Sequence, residues 1–483
     1  MKRANLPPGP TGLPLLGNIF QMPTETPWLT FAAWARKYGD VMSVSVLGQP
    51  IIFLTSPQAA SDLLDRKSAI YSDRPELVFI GELVGYKESL PLCTYGDSFR
   101  EQRKLVAEAL GPRNTSAWRE LEEGKVKEFL GELLEKPELF LEHIRLLVSR
   151  IAFGISHGYT IPDGNDPMAL LAVEANTNFG KAIAPGAYLC DVLPILRYIP
   201  DWTGVRFKQE AKIFRKTMNA VRDDAYNALK AQVALGTAKP SFTTSLIQRE
   251  ENPTEAQELI YKWSSASVFI GGSDTSVSAI GSIFVALSLY PEVQKQAQEE
   301  LDRVVGPDRL PSFKDQPNLP YLNAVVMEIH RWKPVNPLGV PHRCTQEDIY
   351  NGFRIPAGSI VFANAWCVAI LHDEAVYPSP LEFIPERYLQ EEKGVADGLN
   401  PDPRRFAFGY GRRVCPGKDL AEDSIFICAA MILATFNLTR PKSSVTSEYT
   451  SGPICHPLPF PCNITPRSRK AEALILAGAR IDT

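Results

Sequence analysis

Between Thr254 and Tyr290 the sequence runs without a proline, and this stretch limits what the chain can become. Thr254 can cap the first turn through its hydroxyl oxygen. A helix of that length, rising ~1.5 Å per residue, crosses an entire domain, so the remaining chain has to wrap around it. At 483 residues and 45% hydrophobic content, the chain has enough apolar material for a large core. Length at about 150 residues per domain argues for several domains. No low-complexity linker marks a boundary, however, and one domain over residues 1–483 is expected.

The flanking punctuation extends this reading. Pro291 opens a further helix at its favoured first position and Gly306 closes it. Pro320 starts another, which cannot pass Pro334. Near the amino end, Trp28 to Tyr38 reads as a helix, and Val41–Val46 and Ile51–Leu54 read as strands around Gly48-Gln49-Pro50. From Pro57 to about Arg303 the apolar spacing is helical, broken at Gly111-Pro112 and Ile161-Pro162-Asp163-Gly164. Short strands are expected around Tyr350–Ile355 and Ser359–Ala363. The fold class is therefore mainly α with small β-sheets (α+β), and residues 466–483 are expected to form a weakly packed tail.

Composition narrows the function classes. Lys+Arg 51 against Asp+Glu 55 gives a formal net charge of -4, too little basic field to gather nucleic acid. Cys93, Cys190, Cys344, Cys367, Cys415, Cys428, Cys455 and Cys462 include no CxxC pair, which argues against a zinc ribbon or a dithiol site. Without a signal peptide, most are expected as reduced core thiols. The most apolar run, Ile425–Leu438, is shorter than the ~20 residues that span a bilayer and is interrupted by Thr435 and Asn437, so a buried helix is expected. Met1-Lys2-Arg3 leads into Leu6-Pro7-Pro8-Gly9-Pro10. Membrane anchors commonly end in a basic flank and then a stiff proline hinge, and the expectation is that residues 1–10 are such a hinge and that the anchor is missing.

The segment that carries chemistry is Phe408-Gly409-Tyr410-Gly411-Arg412-Arg413-Val414-Cys415-Pro416-Gly417. A lone cysteine is usually an inert buried thiol. Here Gly411 and Gly417 leave room for a flat ligand, Arg413 can pair with a carboxylate, and the helix beginning at Lys418 presents its amino end. These neighbours predict a low-pKa thiolate facing a planar anion. In the long helix, Gly271-Gly272-Ser273-Asp274-Thr275 places two glycines in a helix interior at roughly 1 kcal/mol each relative to alanine. Glu328 and Arg331 lie three apart on one helical face and can form an ion pair.

The first run fits FxxGxRxCxG at every fixed position and resembles the haem-binding signature of the cytochrome P450 superfamily. Gly271–Thr275 is similar to the family's [AG]GxDT, and Phe383-Ile384-Pro385-Glu386-Arg387-Tyr388 is similar to its second arginine motif. Phe99-Arg100-Glu101-Gln102-Arg103 matches WxxxR with Phe99 in place of the tryptophan. The motifs keep the family's order from residue 99 to 417. The resemblance implies haem b (iron protoporphyrin IX) with Cys415 as axial and metal ligand, Phe408 near the sulfur, and Arg103, Arg343, Arg413 and Gly417 at the haem. It implies a buried structural triad of Glu328, Arg331 and Arg387, and proton delivery organised by Asp274 and Thr275 as the catalytic pair. Phe99 removes the indole donor to a propionate, a loss that Arg100 is positioned to offset.

The function so implied is a monooxygenase that inserts one atom of O₂ into a small apolar organic substrate. Electrons are expected from a separate NADPH-cytochrome P450 reductase, since no Gly-rich dinucleotide fingerprint follows a strand. Tyr198-Ile199-Pro200-Asp201-Trp202 and the cysteine segment resemble basidiomycete-like fungal, class II microsomal-type members of secondary metabolism. The expected setting is the cytosolic face of the endoplasmic reticulum membrane, as a monomer. A peroxide-using haem-thiolate enzyme and a non-catalytic haem sensor are alternatives that the Asp274-Thr275 pair disfavours. The substrate pocket is expected to include Phe79, Ile80, Leu83, Val268, Phe269, Gly271, Leu338, Val340 and Ile454.

Overall fold

Pro27 occupies the first position of α1 (Pro27–Tyr38), and Gly39, at φ 96°, ends it. Two antiparallel strands come next, β1 (Val41–Val46) and β2 (Gln49–Leu54). The computed structural model describes residues 5–184, 186–366, 371–374, 376–389, 400–441 and 448–479; Met1, Lys2, Arg3 and Cys367 lie outside them. The proline arm lies along β1, where the Ser43 N–H donates to the Pro8 carbonyl at 2.9 Å. A Cβ on Gly9 would stand 1.8 Å from the Ser43 carbonyl oxygen, so that register admits only glycine.

The major helices are α2 (Asp97–Leu110), α3 (Arg119–Glu135), α4 (Phe140–His157), α5 (Pro167–Ile183), α6 (Arg206–Asn219), α7 (Glu255–Leu289), α8 (Pro291–Val304), α9 (Pro320–Trp332), α10 (Lys418–Thr435) and α11 (Arg469–Ala479). Thr254 caps α7 by accepting from the Gln257 N–H at 3.2 Å. Every residue of α7 from Val277 to Ser288 is buried, the pattern of a core helix apolar all round. It packs on α4, α2 and α10. By length and composition α7 could also cross a membrane, but 67% of its apolar 18-residue window is buried inside the protein.

Strand order in the larger sheet is β1-β2-β6-β3, with β6 (Ile360–Ala363) parallel to β2 and β3 (His342–Arg343) antiparallel to β6. The Tyr350–Ile355 segment, expected as one strand, is a hairpin of β4 (Asp348–Tyr350) and β5 (Phe353–Ile355). Asn351 and Gly352 both take positive φ, 50° and 79°, the backbone that two-residue hairpin turns demand.

Two other expectations are corrected. The Ile425–Leu438 run is helical only to Thr435; β7 (Phe436–Thr439) then pairs with β8 (Asn463–Pro466). Gln294 on α8 captures the backbone there, donating to the Leu438 carbonyl at 3.0 Å and accepting its N–H at 2.7 Å. Of the expected tail, residues 466–479 are packed rather than loose. Helix α11 lies on α3 with Ala471 and Ile475 buried, started by a Ser468 hydroxyl that accepts the Ala471 N–H.

Candidate active site

The loop before α10 is pinned from beneath. The Cys415 N–H donates to the Phe408 carbonyl at 2.7 Å, and the Gly411 N–H donates to Asp65 at 2.6 Å. Gly411 has φ 52°, and a Cβ there would lie 2.3 Å from the Leu64 carbonyl oxygen, so the approach of loop to turn depends on glycine. The loop and the Gly271–Ser276 segment of α7 line a common cavity of about 390 Å³. Cys415, Phe408, Arg413 and Gly417 come to it from the loop, and Val268, Gly271, Asp274 and Thr275 from α7. A Cβ added to Gly271 or to Gly417 would meet nothing within 4 Å, so both glycines leave open space in the cavity.

The cysteine's electrostatics differ from the sequence expectation. Burial pushes the Cys415 thiol up, against a backbone hydrogen bond from Gly417 and the Arg103 guanidinium, which both favour the thiolate. The protein groups alone do not produce a low-pKa thiol, because desolvation outweighs the helix end.

Guanidinium groups line the same cavity. Arg103 has no hydrogen-bond or ion-pair partner among the described residues and, mostly by burial, is held below the usual arginine range. Arg413 donates to the carbonyls of Ser72, Cys93 and Leu90, and its guanidinium lies 3.8 Å from the centre of the Phe99 ring. Phe99 thus supplies a cation–π face in place of an indole donor. Arg100 offers no substitute, since it pairs with Asp97 in solvent.

Arg343 is a further correction. It is absent from the cavity wall and its Nη1 lies 3.7 Å from Glu76 and 3.9 Å from Asp73. Neighbouring side chains on a strand face opposite ways, and it is His342 that turns inward, bonded through Nδ1 to the Tyr71 carbonyl at 2.7 Å. Burial holds the His342 imidazole down to about 3, so the ring is neutral. Arg74, which the motifs did not reveal, also lines the cavity and donates to the carbonyls of Pro91, Val340 and Pro341.

Of the proposed pocket residues, Val268, Gly271, Leu338, Val340 and Ile454 reach the cavity, but Phe79, Ile80, Leu83 and Phe269 do not. Those four belong to a separate apolar cluster under α5 and α6. Phe79 stacks on Tyr188 at 3.3 Å and Phe269 on Phe153 at 4.1 Å. An apolar stripe reads the same from either side, and here neighbouring rings claim it.

On α7 the Thr275 hydroxyl donates to the Gly271 carbonyl at 2.8 Å. Asp274 Oδ2 lies 3.2 Å from Nε2 of His456, a partner that no motif pointed to. Away from the cavity, Glu328 accepts bidentate bonds from Arg331 at 2.7 and 2.8 Å and one from Arg387 at 3.3 Å. The Ile384 N–H and the Tyr388 hydroxyl complete its shell, and both Glu328 and Arg331 are fully buried.

A half-buried thiol, three guanidinium groups and a glycine-floored gap together suit a planar dianionic metal complex such as haem: cation to carboxylate, sulfur to metal, flat ring to glycine. The comparisons agree. The family model for Cytochrome P450 matches residues 7–462. The chain is 42% identical to "Cytochrome P450 monooxygenase claR" of Ampulloclitocybe clavipes, over 98% of this chain and 89% of that protein. It is 39% identical to "Cytochrome P450 monooxygenase ple1" of Rhodocybe pseudopiperita, over 99% and 92%. It is also 36% identical to a "Tryptamine 4-monooxygenase" of Psilocybe cyanescens, over 97% and 94%.

Proposed function

The chain belongs to the cytochrome P450 family of haem-thiolate monooxygenases, and from that premise we propose that Cys415 is the axial ligand and that Asp274 and Thr275 deliver protons above it. The observation that carries this reading is that Cys415 and the Asp274-Thr275 pair, remote in sequence, line one and the same cavity. When bound, haem with an axial thiolate supplies the activation of dioxygen and the insertion of one oxygen atom into the substrate.

The chain's own residues do the rest. Arg103, Arg74 and Arg413 line the cavity, where cations orient carboxylates, with the neutral His342 among them. Arg103, without a partner among the described residues, has donors to offer a ligand; Arg413 holds the loop through its three carbonyl bonds and contributes charge. Gly271 and Gly272 keep the distal wall thin, so that a small ligand fits beside α7. The Thr275 hydroxyl can accept or hold a proton-bearing water while it remains near the Gly271 carbonyl, and Asp274 carries the proton toward it. Val268, Leu338, Val340 and Ile454 exclude water from an apolar substrate, with Asn176 and Ser267 as polar points on the wall.

The partner in this reading is a separate NADPH-dependent flavoprotein reductase. Lys104, Arg405, Arg412 and Lys418 are exposed around the cysteine loop, a basic rim suited to an acidic flavin domain. Contact with the endoplasmic reticulum membrane is supported by the exposed Ile195, Tyr198 and Trp202, at 69%, 74% and 86%. The relative named a tryptamine 4-monooxygenase puts indoles first in the substrate search, with fungal terpenoids and polyketides screened beside them by substrate-induced change in the haem spectrum.

With a substrate so found, Thr275→Ala is expected to leave haem content and substrate binding intact while diverting NADPH from product to hydrogen peroxide. Product and peroxide per NADPH are the measured quantities. A Thr275→Ala protein as tightly coupled as the wild type would remove Thr275 from proton delivery.

A further inference from the structure

The segment 449–457 is clamped to α7 over successive turns. The Ser278 hydroxyl donates to the Cys455 carbonyl, the Tyr449 hydroxyl donates to Ser282 at 3.0 Å, and the Cys455 N–H donates to the Val335 carbonyl at 2.9 Å. Within the segment the Thr450 N–H reaches the His456 carbonyl and the His456 N–H reaches the Thr450 hydroxyl. A Cβ on Gly281 would approach Pro457 Cγ to 3.0 Å, so the loop sits directly on the helix. The loop therefore fixes His456 one helical turn before Ser278, beside Asp274, while Pro453 and Ile454 of the same loop line the cavity.

We infer that His456 positions the Asp274 carboxylate and reloads it with protons from solvent, an inference that rests on Asp274 being the proton carrier. Nε2 of His456 holds Oδ2 of Asp274 at 3.2 Å, which keeps the carboxylate at the cavity's edge. His456 is 23% exposed and does not line the cavity, so water reaches it from outside, while Asp274 faces inward. A proton passes from Nε2 of His456 to Oδ2 of Asp274, the carboxyl passes one into the cavity, and the ring takes one back from water. One proton enters for each delivered, and no electrons move. Among the other charged groups bearing on the loop, Lys333 lies over the Tyr449 ring and acts on Cys455, next to His456, while Arg440 acts on Tyr449.

The test compares haem-loaded wild type, His456→Ala and His456→Gln with reductase and NADPH, and requires no identified substrate. Glutamine keeps a donor to Asp274 but cannot pass a proton through itself, whereas alanine does neither. Oxygen reduction is expected to slow on the order of tenfold in both variants, less than the ~10²–10⁴ of a directly positioned acid, with a larger solvent deuterium isotope effect. The infrared C–O stretch of the carbon monoxide adduct, which reads the field above the metal, is expected to stay near wild type in His456→Gln and to move in His456→Ala. A glutamine variant that reduces oxygen within twofold of wild type would overturn the relay, and an unmoved stretch in the alanine variant would overturn the positioning. If Thr275→Ala raises peroxide while both His456 variants behave as wild type, only this inference falls; a wild type without the thiolate carbon monoxide band would sink the reading beneath it.

Discussion

Glu328 shows how much one buried residue can be asked to hold. Its two oxygens accept from Arg331, Arg387, the Ile384 N–H and the Tyr388 hydroxyl, so no lone pair is left facing an apolar wall. Removing one member of a buried pair strands the other charge at about 3–5 kcal/mol. Glu328→Ala and Arg331→Ala are therefore expected to give poorly folded, haem-free protein, measured as haem per polypeptide after purification; fully loaded, soluble variants would contradict the account. The triad was legible because its motif specifies three residues. The inward-facing His342 was not, since Pro341-His342-Arg343 does not say which of two adjacent basic residues a two-residue strand turns toward the cavity. His456 was hidden for a related reason, because its partner Asp274 is remote in sequence and only the fold joins them.

Elements were legible where punctuation marked them. Thr254, Pro291 and Pro320 each stand at the start of the helix expected from them, and α7 runs unbroken through Gly271–Thr275. The misreadings came where a tertiary partner decided the outcome. Phe79 and Phe269 found aromatic neighbours instead of the cavity, and Leu438 was drawn into a strand by Gln294. The carboxyl-terminal helix α11 is a third case, its Ala471 and Ile475 spaced one turn apart against α3. Ile475→Ala is expected to lower stability by about 2–5 kcal/mol, the range for a buried isoleucine. Thermal unfolding of the haem-bound protein checks this, and a change under ~0.5 kcal/mol, typical of a surface site, would restore the picture of a loose tail.

At the scale of the whole molecule, burial of neutral histidines makes acid stability predictable. His157 is held down to about 4, and His342 and His372 to about 3, in each case chiefly by burial. Their folded values lie below the ordinary unfolded value near ~6.5, so between these limits the unfolded chain binds more protons and stability rises with pH. Stability is expected to fall as pH drops below ~6.5, by up to about 1.4 kcal/mol per pH unit for each histidine titrating only when unfolded. Thermal midpoints unchanged from pH 7 to 5 would contradict it. The central claim concerns the cavity that His342 also lines, where one thiol and three guanidinium groups share a glycine-floored wall. The most direct measurement is the absorption spectrum of the reduced, carbon monoxide-treated protein and of Cys415→Ala. The account predicts the red-shifted band of thiolate-ligated haem in the wild type and its loss in Cys415→Ala; a variant that keeps the band would show that Cys415 is not the ligand.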